Sequence, residues 1–337
     1  MIPRGLLLGG SILLLPGCGG LQSVTGGDGL HAQQFNNLFT LFMVVTGIAY
    51  ALVLLFLAAA VLRRRGHRQD RPDSAPDRNE RVLGTALFGW IGFILVGLTI
   101  LIVASYVTDR DAAAAAPGAA PLEITVTGNQ WWWKVEYADP VPSNQVVTAN
   151  ELHLPVGVPA RIRLKSNDVI HSFWVPNLAG KQDLIPGRQI DILVLPRRTG
   201  QYRGQCAEFC GRQHAHMAFD VTVESRADFD AWRAAQLLPA RAPATPLTLA
   251  GHDYVTSREC SVCHNISGTA ANGQFGPDLT HLASRKSIAA GTLPMTRGHL
   301  YGWVANPQGP KPGNNMPYIG LSNDELHAVV AYLETLK

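Results

Sequence analysis

Cys206-Ala-Glu208-Phe-Cys210-Gly-Arg-Gln-His214-Ala-His216-Met217 sets two thiols, two imidazoles and a thioether within twelve residues. Thiolate and imidazole with a weak thioether is the donor set that soft copper selects. Two neighbouring sulfurs can bridge two metal ions, so that each ion needs only one terminal imidazole. An odd electron shared between both ions changes bond lengths little, and a small reorganisation favours fast electron transfer. A Cys206–Cys210 disulfide suits an oxidising compartment but leaves His214 and Met217 unexplained. Zinc accepts Cys, Cys and His yet has no use for the thioether. Three residues separate the cysteines, which is not the two-residue thioredoxin spacing. The spacing therefore favours a metal over a disulfide, and copper over zinc.

A second constellation lies downstream. Cys260-Ser-Val-Cys263-His264 has the spacing of covalent c-type haem attachment, in which both cysteines form thioethers and the histidine ligates iron. A bare redox pair would gain nothing from His264. Electron transfer needs a second axial ligand, and a methionine there raises the potential. Met295 and Met316 compete for that place. Asn315-Met316-Pro317 falls on a loop just before a capped final helix, which favours Met316 and leaves Met295 to packing.

These chemistries need an exported setting, and the rest of the chain provides one. Of 337 residues, 47% are hydrophobic and only 16% charged, so the chain folds and is short of the charge usual in a soluble protein. Arg4, the apolar run Leu6 to Leu15 and Pro16-Gly17-Cys18 read as an export signal over residues 1–18, of the lipoprotein type if Cys18 is acylated. Residues 36–108 read as a transmembrane hairpin: Leu38 to Leu62 is nearly all apolar and Val82 to Thr108 carries no charge, each longer than the ~20 residues that span a bilayer. Between them Arg63, Arg64, Arg65, Arg68, Arg71, Arg78 and Arg81 mark the cytoplasmic side, so both chain ends face outward. Beyond Arg81 the charges balance at twenty of each sign, which argues against a nucleic-acid partner.

Two Ala/Pro/Gly-rich stretches, Asp109 to Pro121 and Leu237 to Leu249, divide the exterior into modules at 121–226 and 249–337. In the first, Leu122-Ile124-Val126, Arg161 to Leu164, Ile190-Ile192-Val194 and Phe219-Val221-Val223 alternate with the period of strands and imply a β-sandwich. The second ends on a capping box, Ser322 with Glu325, opening a helix whose Leu326, Val329, Val330 and Leu333 share one face. It reads as a small helical module.

Taken together, the hairpin, the sandwich and the Cys-x-Glu-x-Cys-Gly-x-x-His-x-x-Met pattern at Cys206, Glu208, Cys210, Gly211, His214 and Met217 resemble subunit II of cytochrome c oxidase bearing a fused cytochrome c. That resemblance implies a membrane-anchored multidomain fold: two transmembrane helices, an all-β cupredoxin-like Greek-key sandwich and a small all-α class I cytochrome c domain. Asp168-Val-Ile-His171-Ser-Phe-Trp-Val-Pro176 with Ile185-Pro186-Gly187-Arg188 is similar to the family segment that supplies the other terminal histidine. The resemblance then implies bridging Cys206 and Cys210, terminal His171 and His214, weak Met217, and the Glu208 carbonyl in a dinuclear copper A centre. The Glu208 carboxylate would also reach a magnesium shared with subunit I. Within Gln130-Trp131-Trp132-Trp133, Trp131 matches the residue where electrons enter, and Gly276-Pro277-Asp278-Leu279 resembles the loop whose proline carbonyl orients the haem histidine.

The sequence also departs from the family. Asn129 stands where the family usually has His, and His216 where it has Phe, which makes His216 a competitor for the place of His214. Glu80 lies near the position of the family's proton-channel glutamate but lacks the Trp-Thr-x-x-Pro context. The expected role is the point at which electrons reach a proton-translocating oxidase. A cytochrome c or a quinol–cytochrome c reductase would reduce haem c, the copper would follow, and haem a of subunit I would receive the electron, with subunit III a further partner. The expected location is the bacterial cytoplasmic membrane with both modules on the periplasmic face. A copper-A subunit of a nitric oxide reductase and a free-standing membrane-tethered carrier are the rival readings. Quinol-oxidase subunits lack the copper ligands retained here, and no propeller domain is present to suit nitrous oxide reduction.

Overall fold

The computed structural model describes residues 19–66, 77–114 and 120–337. The expected export signal with Cys18, and Arg68 and Arg71 of the arginine cluster, lie outside the described residues.

Two helices come first, α1 (Leu30–Gly66) and α2 (Asp77–Ala114). Both are long and apolar enough to cross a membrane: within Leu30–Leu62 and within Glu80–Arg110 the most apolar 18 residues have a mean hydropathy of 2.6. Four of their threonine hydroxyls are satisfied within the helix: Thr40, Thr46, Thr85 and Thr99 each donate to the carbonyl four residues back. The helices pack on one another where Gly97 of α2 lets Val45 of α1 approach, while Leu55, Phe88 and Ile102 point outward as hydrocarbon-facing side chains do. α2 runs on to Ala114, so the stretch read as a linker from Asp109 begins as helix. The outer end of α1 is tied to the next module. Asp28 and Gly29 donate backbone N–H bonds to the Asn177 carbonyl, Leu30 donates to that of Leu195, and a Cβ on Gly29 would sit 2.1 Å from the Leu178 oxygen.

The second module is a sandwich of ten strands: β1 (Leu122–Asn129), β2 (Trp132–Tyr137), β3 (Val146–Ala149), β4 (Glu151–Pro155), β5 (Ala160–Ser166), β6 (His171–Trp174), β7 (Gln182–Leu184), β8 (Ile190–Val194), β9 (Gly200–Cys206) and β10 (Ala218–Glu224). One sheet has the order β3-β2-β1-β5-β8, the other β4-β10-β9-β6-β7. The alternation seen in the sequence turns Ile124, Val126, Ile162 and Leu164 of the first sheet onto Phe173, Phe219, Val221 and Val223 of the second. Trp133 is wholly buried between the sheets, with its ring edge-on to Phe219 at 5.3 Å. A helix that the strand pattern did not announce, α3 (Arg226–Gln236), follows the sandwich. Ser225 caps it, and Phe229 and Trp232 pack on Tyr137.

The last module is helical: α4 (Pro246–Ser257), α5 (Glu259–Cys263), a two-residue ribbon of β11 (Ser287–Ile288) and β12 (Leu293–Pro294), α6 (Arg297–Ala305) and α7 (Asn323–Leu333). Both sides of the Ser322–Glu325 capping box form, and a second box at Thr245 and Thr248, with Pro246 behind it, starts α4 inside the stretch read as a linker. Leu326, Val329, Val330 and Leu333 are buried as one face. The helices α4 and α7 cross at Gly251, where a Cβ would lie 2.0 Å from the Ala328 carbonyl oxygen. Gly251→Ala is therefore expected to push the helices apart and cost about 1–3 kcal/mol. A guanidinium unfolding curve followed by circular dichroism should show an earlier transition for this module; an unmoved midpoint would mean that the crossing yields freely.

Candidate copper and haem sites

The copper-type donors meet because β6 lies against β9. His171 opens β6, and the Phe173–Cys206 pairing sets that strand beside the end of β9. From Cys206 the chain makes one loop, passes through a 3₁₀ turn at His214–His216 and enters β10 just after Met217. Cys206, Cys210 and Met217 are at most 2% exposed, and His171 is fully buried. The sulfurs of Cys206 and Cys210 stand 3.7 Å apart and both thiols are free, well beyond the about 2.05 Å of a disulfide. His171 Nδ1 is 3.9 Å from the Cys206 sulfur, His214 Nδ1 is 3.6 Å from that of Cys210, and the Met217 sulfur is 3.7 Å from Cys210. The Glu208 carbonyl lies 3.2 Å from the Cys206 sulfur. Among the described residues, His171, Cys206 and Cys210 form the cluster of side chains close enough to share a metal ion.

The surroundings prepare these atoms. His171 Nε2 is 2.7 Å from the Asp168 carboxylate, which fixes the ring with Nε2–H donated outward and Nδ1 turned to the sulfurs. Burial by itself would lower the His171 pKa, but the bond to Asp168 and the contact with Cys206 outweigh it and raise it. Asp168 is depressed, because the bonds from His171 and from the Val169 and Gln130 N–H groups overcome its burial. The thiol of Cys210 hydrogen-bonds Cys206 and lowers its pKa strongly, while Cys210 itself is driven up by its ionised neighbour. Gly128 makes room for the His171 ring, since a Cβ there would meet Cδ2 at 2.8 Å. His216 turns away: its Nδ1 bonds Gln213 Oε1 at 2.9 Å, so of the two competing imidazoles His214 faces the sulfurs.

A large cavity in the helical module is lined by Cys260, Cys263, His264 and Met316. Met295 instead packs among the partly buried side chains of that module's core. His264 Nδ1 is 2.7 Å from the Pro277 carbonyl oxygen, an acceptor only, so the ring N–H is there and Nε2 keeps its lone pair. Burial lowers the His264 pKa and keeps the ring neutral. Gly276 has no side chain because a Cβ would strike His264 Cε1 at 2.7 Å.

The sequence did not reveal that the sandwich closes this cavity. Gln130, Trp131, Trp132 and Asn150 form part of its wall. Trp131 reaches both sites, since its indole N–H donates to the Cys210 carbonyl at 2.9 Å. Glu80 lies on α2, away from both sites, and nothing in the structure gives it a role. Asn129 accepts from Asn167 and does not join the donor cluster.

Known proteins share the domain composition of this chain. Residues 141–225 match the family described as cytochrome C oxidase subunit II, periplasmic domain, and residues 250–337 match cytochrome c. The chain is similar to cytochrome c oxidase subunit 2 of Alkalihalophilus pseudofirmus, at 30% identity over 96% of this chain and 94% of that one. It is similar also to cytochrome c oxidase subunit 2 of Bacillus subtilis, at 27% identity over 98% and 97%. Among solved structures, the periplasmic domain of subunit II of cytochrome oxidase from Bradyrhizobium japonicum aligns at 31% identity over 35% of this chain and 94% of its own, with a TM-score of 0.33. A relative matched nearly end to end, together with the oxidase-domain match over the sandwich and the cytochrome c match over the helical module of this chain, places this membrane-anchored chain in the cytochrome c oxidase subunit 2 family, in its branch with a fused cytochrome c, as part of a haem-copper oxidase that works with subunit I.

Proposed function

We propose that this chain receives electrons at a haem c held by Cys260, Cys263, His264 and Met316. It passes them through a dinuclear copper centre held by His171, Cys206, Cys210, His214, Met217 and the Glu208 carbonyl, onward to haem a of subunit I. Oxygen is reduced to water there, with proton translocation. The observation that carries this reading is the convergence of two imidazole Nδ1 atoms, two thiol sulfurs, a thioether and a carbonyl in one buried spot whose neighbour, Trp131, also walls the haem cavity. When bound, the copper pair supplies a one-electron relay of small reorganisation, and the haem a one-electron carrier whose potential a methionine raises.

The chain's own residues do the positioning. Asp168 orients His171, the Pro277 carbonyl orients His264, and the closed sandwich keeps water from the sulfurs. Trp131 supplies a covalent and hydrogen-bonded route from the cavity wall to the Cys210 main chain, which supports its role as the point where electrons enter. The side chain of Glu208 and the 74% exposed Phe209 point out of the loop, a face suited to subunit I and to a magnesium shared with it. The immediate donor is a cytochrome c or a quinol–cytochrome c reductase, subunit III completes the assembly, and the hairpin sits in the bacterial cytoplasmic membrane with both modules in the periplasm.

Spin resonance on the purified complex tests the copper ligands. With Cys206→Ser the hyperfine pattern of two equivalent copper nuclei should vanish while the haem spectrum survives; a persisting two-copper signal would refute the assignment. Redox titration tests the axial ligand. Met316→Ala should lower the haem potential and Met295→Ala should leave it in place, and the opposite pattern would move the ligand to Met295.

A further inference from the structure

Lys311 lies in the turns between α6 and the Met316 loop, where a lysine would ordinarily be solvated, yet it is 2% exposed. Its Nζ donates three hydrogen bonds, to the carbonyls of Trp131 (2.7 Å), His216 (2.7 Å) and Ala289 (3.0 Å). An ammonium carries three N–H groups and no acceptor, so this geometry uses all of its capacity. Two of the three carbonyls belong to the sandwich and one to the helical module. Trp131 is the residue bonded to the Cys210 carbonyl, and His216 adjoins Met217.

The main chain around the third acceptor bears a cost that the junction explains. Ala289 and Ala290 have φ of 55° and 58°, left-handed values that residues with a Cβ rarely adopt. The strained pair directs the Ala289 carbonyl to Lys311, while the Ala290 carbonyl accepts from the Ala218 N–H across the junction. Just downstream of Lys311, Gln213 Nε2 donates to the Pro312 carbonyl at 2.6 Å and Asn315 Nδ2 to the Gln130 carbonyl at 3.0 Å. The segment 311–316 that ends at Met316 is thus stitched to the two sandwich loops that hold Trp131 and His214.

We propose that Lys311 is a positioning residue for electron transfer within the chain, pinning the Met316 loop to the main chain of the Trp131 and His216 loops and so fixing the haem pocket against the copper loop. The inference rests on the functional reading above. The acceptors are backbone carbonyls, so no side-chain change in the sandwich can substitute for the lysine; its removal takes a donor from all three, and only those of Ala289 and His216 keep a second one, the Thr292 hydroxyl at 2.7 and 3.5 Å.

The test uses the complete purified oxidase with Lys311→Met, which keeps the apolar stem, and Lys311→Gln, which keeps two donors on a shorter one. Haem optical and copper spin-resonance spectra come first: if the wild-type complex lacks either group, the functional reading fails and not the pin alone. One electron is then placed on haem c by photoreduction, and its loss to the oxidised copper pair is timed. Enhancement of copper spin relaxation by ferric haem reports their separation independently. With haem and copper potentials unchanged, Lys311→Met should slow the transfer severalfold and weaken the relaxation enhancement, with Lys311→Gln between. A loaded Lys311→Met complex with the wild-type rate and relaxation overturns the proposal, as does a slower rate accompanied by a shifted haem potential. If Lys311→Met fails to assemble, Lys311→Gln decides by the same criteria.

Discussion

Two buried sulfur atoms held 3.7 Å apart and not bonded to each other are the constraint around which the sandwich is arranged. At that separation two thiolates repel by about 4 kcal/mol even at an effective dielectric of ~20, so the protein alone favours one thiolate and one thiol. The opposite shifts of Cys206 and Cys210 express this. Cations between the sulfurs remove the repulsion, and imidazoles on both flanks offer neutral donors without adding negative charge. The fold accordingly fixes the candidate donors. Cys206 is locked by β9, His171 by β6 and Asp168, and Met217 by its entry into β10. Donor positions set by strands cannot easily follow a change of oxidation state, which is what a low-reorganisation relay requires.

The haem cavity obeys a different constraint, because its module does not close it alone. Trp131 and Trp132 supply apolar wall from the neighbouring sandwich, and buried polar contacts hold the seam. Arg285 is 6% exposed; it donates to the Asp278 carbonyl of its own module and lies 3.5 Å from the Glu151 carboxylate across the junction. Such a pair contributes little net stability after desolvation, but losing either partner strands a buried charge. The seam is therefore specific in register even where it is not strong.

How much of this could be read in the sequence follows the distance between the residues involved. The Cys206–Met217 and Cys260–His264 clusters are local, so spacing alone pointed to their candidate chemistry. The capping box at Ser322 and the alternation of β1, β5 and β10 were legible for the same reason. His171 lies 35 positions before Cys206 and is brought near it only by strand pairing, and no local signal marks it. Only the family resemblance singled it out. The helix α3 was hidden because Phe229 and Trp232 are too few apolar positions to announce a helical period after a run of strands. No local signal in the sequence marks Lys311 or Arg285 as buried, since their partners are distant main-chain carbonyls and, for Arg285, a carboxylate of the sandwich.

Fusion and seam serve different purposes. The chain between α3 and α4 is short and Pro-rich, and a tether of that kind holds two modules at an effective concentration of the order of millimolar. That suffices for frequent encounters but leaves orientation free. Electron transfer depends on the path as well as on the encounter, and the path proposed above runs through a single indole N–H to a single carbonyl. A loosely tethered cytochrome would present that path only in a fraction of its poses. The buried Lys311 amine, the left-handed Ala289–Ala290 turn and the Arg285 contacts select one pose, so the covalent link determines that the modules meet and the polar seam determines how.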